Sequence, residues 1–311
     1  MKKVLVFGAT GEIGGRVARG CVDAGYETTG VTTGKNTRYR VPLDGVEFIT
    51  GNKHDEDFYE SVVAKREFDV VIDSIPGMRD VNLAHKHFGG RIEHYMICGS
   101  TGSYTPLLYL PADENHPWRE ETPHNFFEQC QRDAHALDLW EKDGFPATIF
   151  RPTCIVGTGR VPLELWGNRN IEYFKLMKEG KPVEIPGTGE VLLQAGCNED
   201  LATAFVKAVG KGEEIAGEIF NISSKKALTL DLYFSAAKEI LNSTSTPEYV
   251  PWEELVKRRP EQVSERWLGF LMQHMSFDMR KAETILGYAP QYTMEDGLEL
   301  ALKWCMDDGL L

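Results

Sequence analysis

The chain has 311 residues, 42% of them hydrophobic, and a formal net charge of −13. That length suits one large domain or two small ones around a sizeable core. The acidic balance, with no long basic run, argues against non-specific binding to nucleic acid or anionic membranes as a main activity.

Six cysteines (Cys21, Cys98, Cys130, Cys154, Cys197, Cys305) are scattered without a C-x-x-C pair. This pattern reads as a reduced, cytoplasmic protein, with neither a disulfide framework nor a zinc site. No apolar run is long enough for a membrane span, and the start lacks a signal-peptide pattern.

The first sixteen residues organise the rest. Val4–Phe7 is a short β-prone run, followed by Gly8-Ala9-Thr10-Gly11-Glu12-Ile13-Gly14-Gly15 and an amphipathic stretch from Arg16 to Ala24. Strand, glycine turn and helix form the context in which a glycine motif cradles a pyrophosphate. Gly8 allows a tight turn, Gly11 lets backbone approach phosphate, and Gly14 lets the helix pack closely on the strand. Thr10, Glu12 and Ile13 share that turn as candidate cofactor contacts. The unpaired N–H groups at the helix start would face the phosphates. The spacing is G-x-x-G-x-x-G, and the alternative is a strand–turn–helix without ligand.

Glu27–Thr33, Val46–Thr50, Asp69–Asp73, Tyr95–Cys98 and Ala147–Phe150 read as strands two to six. Asp55–Lys65 and Phe126–Lys142 read as helices between them. This alternation predicts an α/β fold: a Rossmann-type, doubly wound parallel sheet with helices on both faces. Residues 101–125 hold four prolines without periodicity, a loop over the carboxyl edge of the sheet. Gly157–Asn170 is a further loop. Ile171–Glu179, Glu199–Val209, Leu230–Leu241, Trp252–Lys257 and Asp296–Asp307 read as helices, and Pro182–Ile185 and Gly217–Ile222 as strands. The expected layout is a dinucleotide-binding domain over 1–157, rejoined by 198–225. A substrate-binding cap is expected from 158–197 and 226–311, over the strand ends.

An acid at the end of strand two would bind the adenosine ribose and select NAD. Here that edge carries Thr33, Lys35 and Arg38 and no acid, so NADP is favoured over NAD, with the cations on a 2′-phosphate. A solvated basic turn is the alternative. Ser74, at the end of strand four, is a further candidate contact.

Taken together these stretches resemble the extended short-chain dehydrogenases/reductases, the NAD-dependent epimerase/dehydratase family. Gly8–Gly14 looks like its cofactor turn. Gly51-Asn52 stands where the family usually has Gly-Asp beside adenine, which makes Asn52 and Lys53 candidates. Arg151-Pro152-Thr153-Cys154-Ile155-Val156-Gly157 is similar to the family's Arg-Pro-x-x-Val-Tyr-Gly stretch, which implies Pro152 and Cys154 at the nicotinamide end. Pro186-Gly187-Thr188-Gly189, then Glu199-Asp200-Leu201-Ala202, and the run Leu286–Pro290 with Glu295–Leu298 and Trp304 complete the resemblance.

The resemblance also implies a catalytic tyrosine with a lysine four residues later, and a serine or threonine after strand five. Ser100 matches the serine, with Thr101 as its neighbour. By register the tyrosine position is Phe127 and the lysine position Gln131, so the usual acid/base pair is absent. A shift of one residue, to Phe126 and Cys130, does not restore it.

Three readings follow. Another residue does the proton work, with Tyr104, His124, Cys130 and His135 near in sequence. Or the protein binds a dinucleotide without turning it over, as a sensor or scaffold. Or it resembles the stem-loop-binding branch of the same superfamily, which the acidic charge makes the weakest of the three. In the family a diphosphate-gripping arginine follows the hairpin, and Leu193 stands there, which argues against a nucleotide-sugar. Trp166, Tyr173, Phe174, Met177 and Leu193 could line an apolar pocket or be plain core. Arg160 and Arg169 could meet a carboxylate or be solvated loop charges. The reading is an NADP- or NAD-dependent oxidoreductase or epimerase with altered acid/base residues and a small-molecule substrate. Phe126–Lys142 is the candidate surface for a homodimer.

Overall fold

A computed structural model describes residues 1–36 and 41–311. The elements, in chain order, are β1 (Lys3–Phe7), α1 (Glu12–Asp23), β2 (Glu27–Thr32), β3 (Glu47–Thr50), α2 (Glu56–Phe58), β4 (Val70–Asp73), α3 (Met78–Phe88), β5 (His94–Cys98), α4 (Phe127–Asp143), β6 (Ala147–Pro152) and β7 (Cys154–Val156). They continue with α5 (Ile171–Lys178), β8 (Val183–Pro186), β9 (Leu192–Leu193), β10 (Ala195–Cys197), α6 (Asn198–Ala208), α7 (Gly212–Ile215), β11 (Ile219–Ile222), β12 (Leu228–Thr229), α8 (Leu230–Ile240), β13 (Pro247–Val250), α9 (Trp252–Arg258), α10 (Glu265–Leu271), α11 (Arg280–Leu286) and α12 (Met294–Asp307).

Seven strands form one parallel sheet in the order β11-β6-β5-β4-β1-β2-β3. Val4 to Phe7 pair with Thr28 to Val31 on one side and with Val70 to Asp73 on the other. β1 is therefore central, and its side chains are buried on both faces. Val4 and Val6 join α1, α6 and α11 in one core, while Leu5 and Phe7 join α3 and α4 in the other. A short, continuous apolar run suits such a doubly covered strand.

Helix α1 follows from its spacing: Ile13, Val17, Ala18 and Cys21 are buried on one face, the i, i+4, i+5, i+8 pattern of an amphipathic helix. Helix α12 opens with a capping box in which the Thr293 side chain accepts from the Asp296 N–H and the Asp296 carboxylate from the Thr293 N–H. That exchange satisfies two donors that a helix start leaves open.

A third core belongs to the second half. Trp166, Tyr173, Phe174, Met177, Tyr233, Leu268 and Leu298 meet there, all nearly or fully buried. Three two-stranded pieces, β7 with β10, β9 with β12 and β8 with β13, lie outside the main sheet.

Most elements fall within two residues of their predicted bounds. The stretch 55–65 is instead split, with α2 running into a π-helical turn over Tyr59–Val63. Helices α3, α7, α10 and α11 were not anticipated. Although 226–311 was expected to belong to the cap, Ala282, Leu286 and Tyr288 pack into the sheet core beside Phe220 and Ile222. The Tyr288 hydroxyl donates to the Ser223 carbonyl at 2.9 Å. Among the described residues no helix is long and apolar enough to cross a membrane.

Candidate functional site

The strand order reverses between β1 and β4, and open α/β sheets bind ligands in the crevice outside such a point. The chain leaves β1 through Gly8, whose φ is +75°, a conformation that glycine adopts without strain. The Gly11 N–H donates to the Gly8 carbonyl at 2.8 Å and closes the turn. Gly11 then stands at the N-cap of α1 and offers no side-chain acceptor. A Cβ on Gly14 would stand 2.3 Å from the Gly8 oxygen and 2.5 Å from Ser74 Oγ. Helix α1 therefore starts hard against the strand end, and its N-terminal dipole points into the crevice.

The other sequence-predicted cofactor residues divide into those at the crevice and those used elsewhere. Thr10 is at the crevice: its hydroxyl lies 3.4 Å from the Thr32 hydroxyl, and its carbonyl accepts from Asn36 Nδ2 at 2.8 Å. Thr33 and Lys35 are exposed just beyond β2. Arg38 lies outside the described residues. Ser74 Oγ donates to the Phe7 carbonyl at 2.8 Å, so it braces the turn. Ile13 is buried in the core below it. Glu12 accepts from Arg160 Nη1 at 2.6 Å, and the Arg16 guanidinium bridges Glu12 O, Thr158 O and Glu199. These contacts tie the helix start to the loop after β7.

Beyond β3, Asn52 is exposed, with its side chain accepting from the His54 N–H. Lys53 is buried, contrary to an open cofactor contact. Its ammonium donates to both Asp73 oxygens at 2.9 Å and to the Ile75 carbonyl at 2.8 Å, and lies 3.1 Å from Asp80. Burial raises the Asp73 pKa, and the Lys53 charge opposes it. The side chain has no charge left over for a phosphate.

A cavity of about 380 Å³ opens at the carboxyl ends of β5 and β6. Ser100, Thr101 and Gly102 form one edge and Thr153, Cys154 and Ile155 the other. The Ser100 hydroxyl accepts from the Gly102 N–H at 3.1 Å, which leaves its proton free to donate. The Thr101 hydroxyl donates to the Pro152 carbonyl at 3.4 Å. Burial pushes the Cys154 thiol up from its ordinary pKa, so it stays neutral. Phe126, Trp267, Phe270, Leu271 and Met275 supply an apolar wall, in which the Phe126 and Phe270 rings stack 4.9 Å apart.

Neither Phe127 nor Gln131 lines this cavity. Phe127 borders a neighbouring cleft and Gln131 is exposed. The α4 end is represented by Phe126, whose ring would meet a Cβ on Gly102 at 2.6 Å. Tyr104 points elsewhere, into the second-half core, with its ring 4.6 Å from the Arg151 guanidinium. Burial raises its pKa to about 12. Cys130 donates its thiol proton to the Ser103 carbonyl, and His135 pairs with Asn82. His124 lies against Gly269. Trp166, Tyr173, Phe174, Met177 and Leu193 are core residues, and none lines the cavity.

The wall comes largely from α10. Its signal was present in Ser264 followed by Trp267, Leu268, Phe270 and Leu271, a helical apolar spacing interrupted by Gly269. Also missed was the support of the Ser100 turn. Asp133 accepts from Arg132 and Arg151, all three buried, and Gly99 packs directly on that carboxylate.

Residues 4–87 and 78–223 match the sequence model of the NAD dependent epimerase/dehydratase family. The chloroplast stem-loop binding protein of 41 kDa b from Arabidopsis thaliana is 29% identical over 314 residues, covering 96% of this chain and 77% of that protein. Among solved structures, UDP-glucose 4-epimerase from Thermotoga maritima, with UDP-glucose, superposes with a TM-score of 0.77 at 18% identity, over 99% of this chain and all of that one. The Bifidobacterium longum UDP-glucose 4-epimerase, in complex with NAD+ and UDP, gives 0.74 at 18% identity, over 99% of each chain. At such identities the structural likeness establishes the fold.

Proposed function

The chain belongs to the NAD-dependent epimerase/dehydratase family, and from that premise we propose that it is a nicotinamide-dinucleotide-binding oxidoreductase or epimerase with altered acid/base residues. The observation that carries this reading is the cradle at Gly8, Gly14 and Ser74, where a Cβ on either glycine would fall within 2.4 Å of a neighbouring oxygen. Close backbone approach below a helix N-terminus fits a pyrophosphate. The adenosine end would run toward Thr33 and Lys35, where no acid stands to bind the ribose hydroxyls. That favours a 2′-phosphate and hence NADP over NAD. The nicotinamide end would reach the cavity beside Ser100, Thr153 and Cys154.

When bound, the nicotinamide supplies a hydride donor or acceptor. The chain's own contribution is positional. Ser100 Oγ can donate its proton to a substrate oxygen and polarise it, while the apolar wall excludes water. Among the described cavity residues there is no tyrosine, lysine, histidine or carboxylate to carry the exchanged proton, so that proton would be exchanged with solvent. The same gap favours, as the second reading, a dinucleotide-binding sensor that turns nothing over. The stem-loop binding in the Arabidopsis relative's name finds least support, since the net charge of −13 opposes a polyanion.

A substrate screen followed by nicotinamide absorbance separates the first two readings. Turnover that falls with Ser100→Ala supports the oxidoreductase reading. Tight dinucleotide binding with no turnover on any alcohol, aldehyde or ketone supports the sensor.

A further inference from the structure

The loop between β7 and α5 brings two arginines to the cavity. Arg160 is paired with Glu12 at 2.6 Å. Arg169 has no carboxylate within ion-pair distance among the described residues. Its Nη1 donates to the Val161 carbonyl at 2.8 Å and its Nη2 to the Ile155 carbonyl at 2.7 Å. Two carbonyls hold the guanidinium in place, and neither neutralises its charge. Burial and the nearby Arg160 both lower its pKa, and Glu12 partly offsets them. These are signs of a cation kept from water next to another cation.

The loop that presents Arg169 is itself fixed. The buried Glu164 carboxylate accepts from the backbone N–H groups of Trp166 and Asn168. The Glu164 N–H donates to the Asn168 carbonyl at 2.9 Å. A charged donor held ready in a partly apolar cavity loses little entropy on binding. It is also costly to leave unpaired, because a desolvated charge seeks a partner.

We propose that the cavity takes a small monocarboxylate with an apolar or aromatic body, and that Arg169 binds the carboxylate. The proposal rests on the reading of this cavity as the substrate end of the dinucleotide site. Geometry selects the class: Arg160 is held by Glu12 and the Glu164 carboxylate by backbone N–H groups of its own loop, which leaves the planar guanidinium of Arg169 to meet a planar, singly charged carboxylate. Three of the five guanidinium N–H groups of Arg169 are not used by the two carbonyls, enough for a bidentate pair. Phe126, Phe270 and Trp267 provide the apolar counterpart, with Phe126 and Trp267 edge to face at 6.0 Å.

The test uses the wild-type chain, without dinucleotide, titrated calorimetrically with phenylacetate, phenylacetamide and phenyl phosphate. Phenylacetate should bind at least about tenfold more tightly than the isosteric amide. Arg169→Gln should abolish that preference while dinucleotide binding persists, and Arg169→Lys should restore part of it. Equal affinity for acid and amide, a preference surviving Arg169→Gln, tighter binding of phenyl phosphate, or no binding of the acid at millimolar concentration would each overturn the proposal. Dinucleotide titration of the same samples reports separately on the cofactor reading. Anion selectivity without dinucleotide binding would retain the anion site and remove the cofactor from it.

Discussion

Replacing Asp133 with alanine removes the acceptor shared by two buried guanidinium groups. Its Oδ1 accepts from Arg132 Nε at 3.0 Å and Nη2 at 2.6 Å, and its Oδ2 accepts from Arg151 Nε at 3.2 Å and Nη2 at 3.0 Å. Asp133 and Arg151 are both fully buried. Arg151 also lies between the rings of Tyr104 and Trp118, at 4.6 and 4.2 Å, so it cannot swing to water without unpacking both. Removing one partner of a buried ion pair costs about 3–5 kcal/mol, because it strands the other charge. At a urea dependence of about 2 kcal/mol per molar, that lowers the unfolding midpoint by roughly 2 M. Equilibrium urea denaturation followed by circular dichroism reads the shift. Asp133→Asn, which keeps the shape and one oxygen, should lose less. The triple variant Asp133→Leu/Arg132→Met/Arg151→Met should recover much of the loss, since apolar replacement of a whole buried ionic cluster is often neutral. A loss below about 1 kcal/mol for Asp133→Ala would refute the reasoning, as it would match an exposed pair.

Three further outcomes follow from the same structure. Gly14→Ala places a methyl group 2.3 Å from the Gly8 carbonyl, so it should weaken dinucleotide binding by at least about tenfold, read by calorimetry on protein shown to be folded. His94 is fully buried, with Nε2 bonded to the Thr148 hydroxyl, and burial lowers its pKa to about 4. Its folded pKa is below the unfolded one, so its contribution is full above about pH 6.5 and declines as pH falls toward 4. The total is about 3 kcal/mol, and stability curves for His94→Gln should lack that decline. Lys53→Met leaves Asp73 and Asp80 buried without their cation and should cost about 3–5 kcal/mol at neutral pH. The deficit should shrink in acid, because burial raises the Asp73 pKa and protonation removes the charge that has lost its partner. An unchanged deficit across pH would contradict the buried-cluster account.

The alternation of short apolar runs with amphipathic stretches was enough to read the parallel sheet, though not its strand order. Val4–Phe7 and the glycine turn carry their structural meaning locally, because turn conformation and close packing depend on the residues present. Lys53 shows the limit. Its neighbours Asp73 and Asp80 are twenty and more residues away, and nothing in the local sequence tells a buried ammonium from an open one. The α10 wall was missed because Gly269 interrupts its helical pattern, and a helix of seven residues, about two turns, carries little periodicity. Trp166 and Tyr173 read equally as pocket or core, and the structure resolves them as core. Arg169 read as a carboxylate contact or a solvated loop charge, and tertiary folding sets its guanidinium on the Val161 and Ile155 carbonyls. Phe127 and Gln131 were assigned by register, and a change of one residue turns a side chain on a helix by about 100°. Phe126 is the one that meets the cavity.

The most direct test of the cofactor account is calorimetric titration of the purified, dinucleotide-stripped protein with NADPH and with NADH. The account predicts saturable one-site binding of NADPH, weaker binding of NADH, and a narrowing of that difference in Lys35→Ala. Binding of neither dinucleotide by folded protein would contradict it, and would leave the glycine cradle as a structural turn alone.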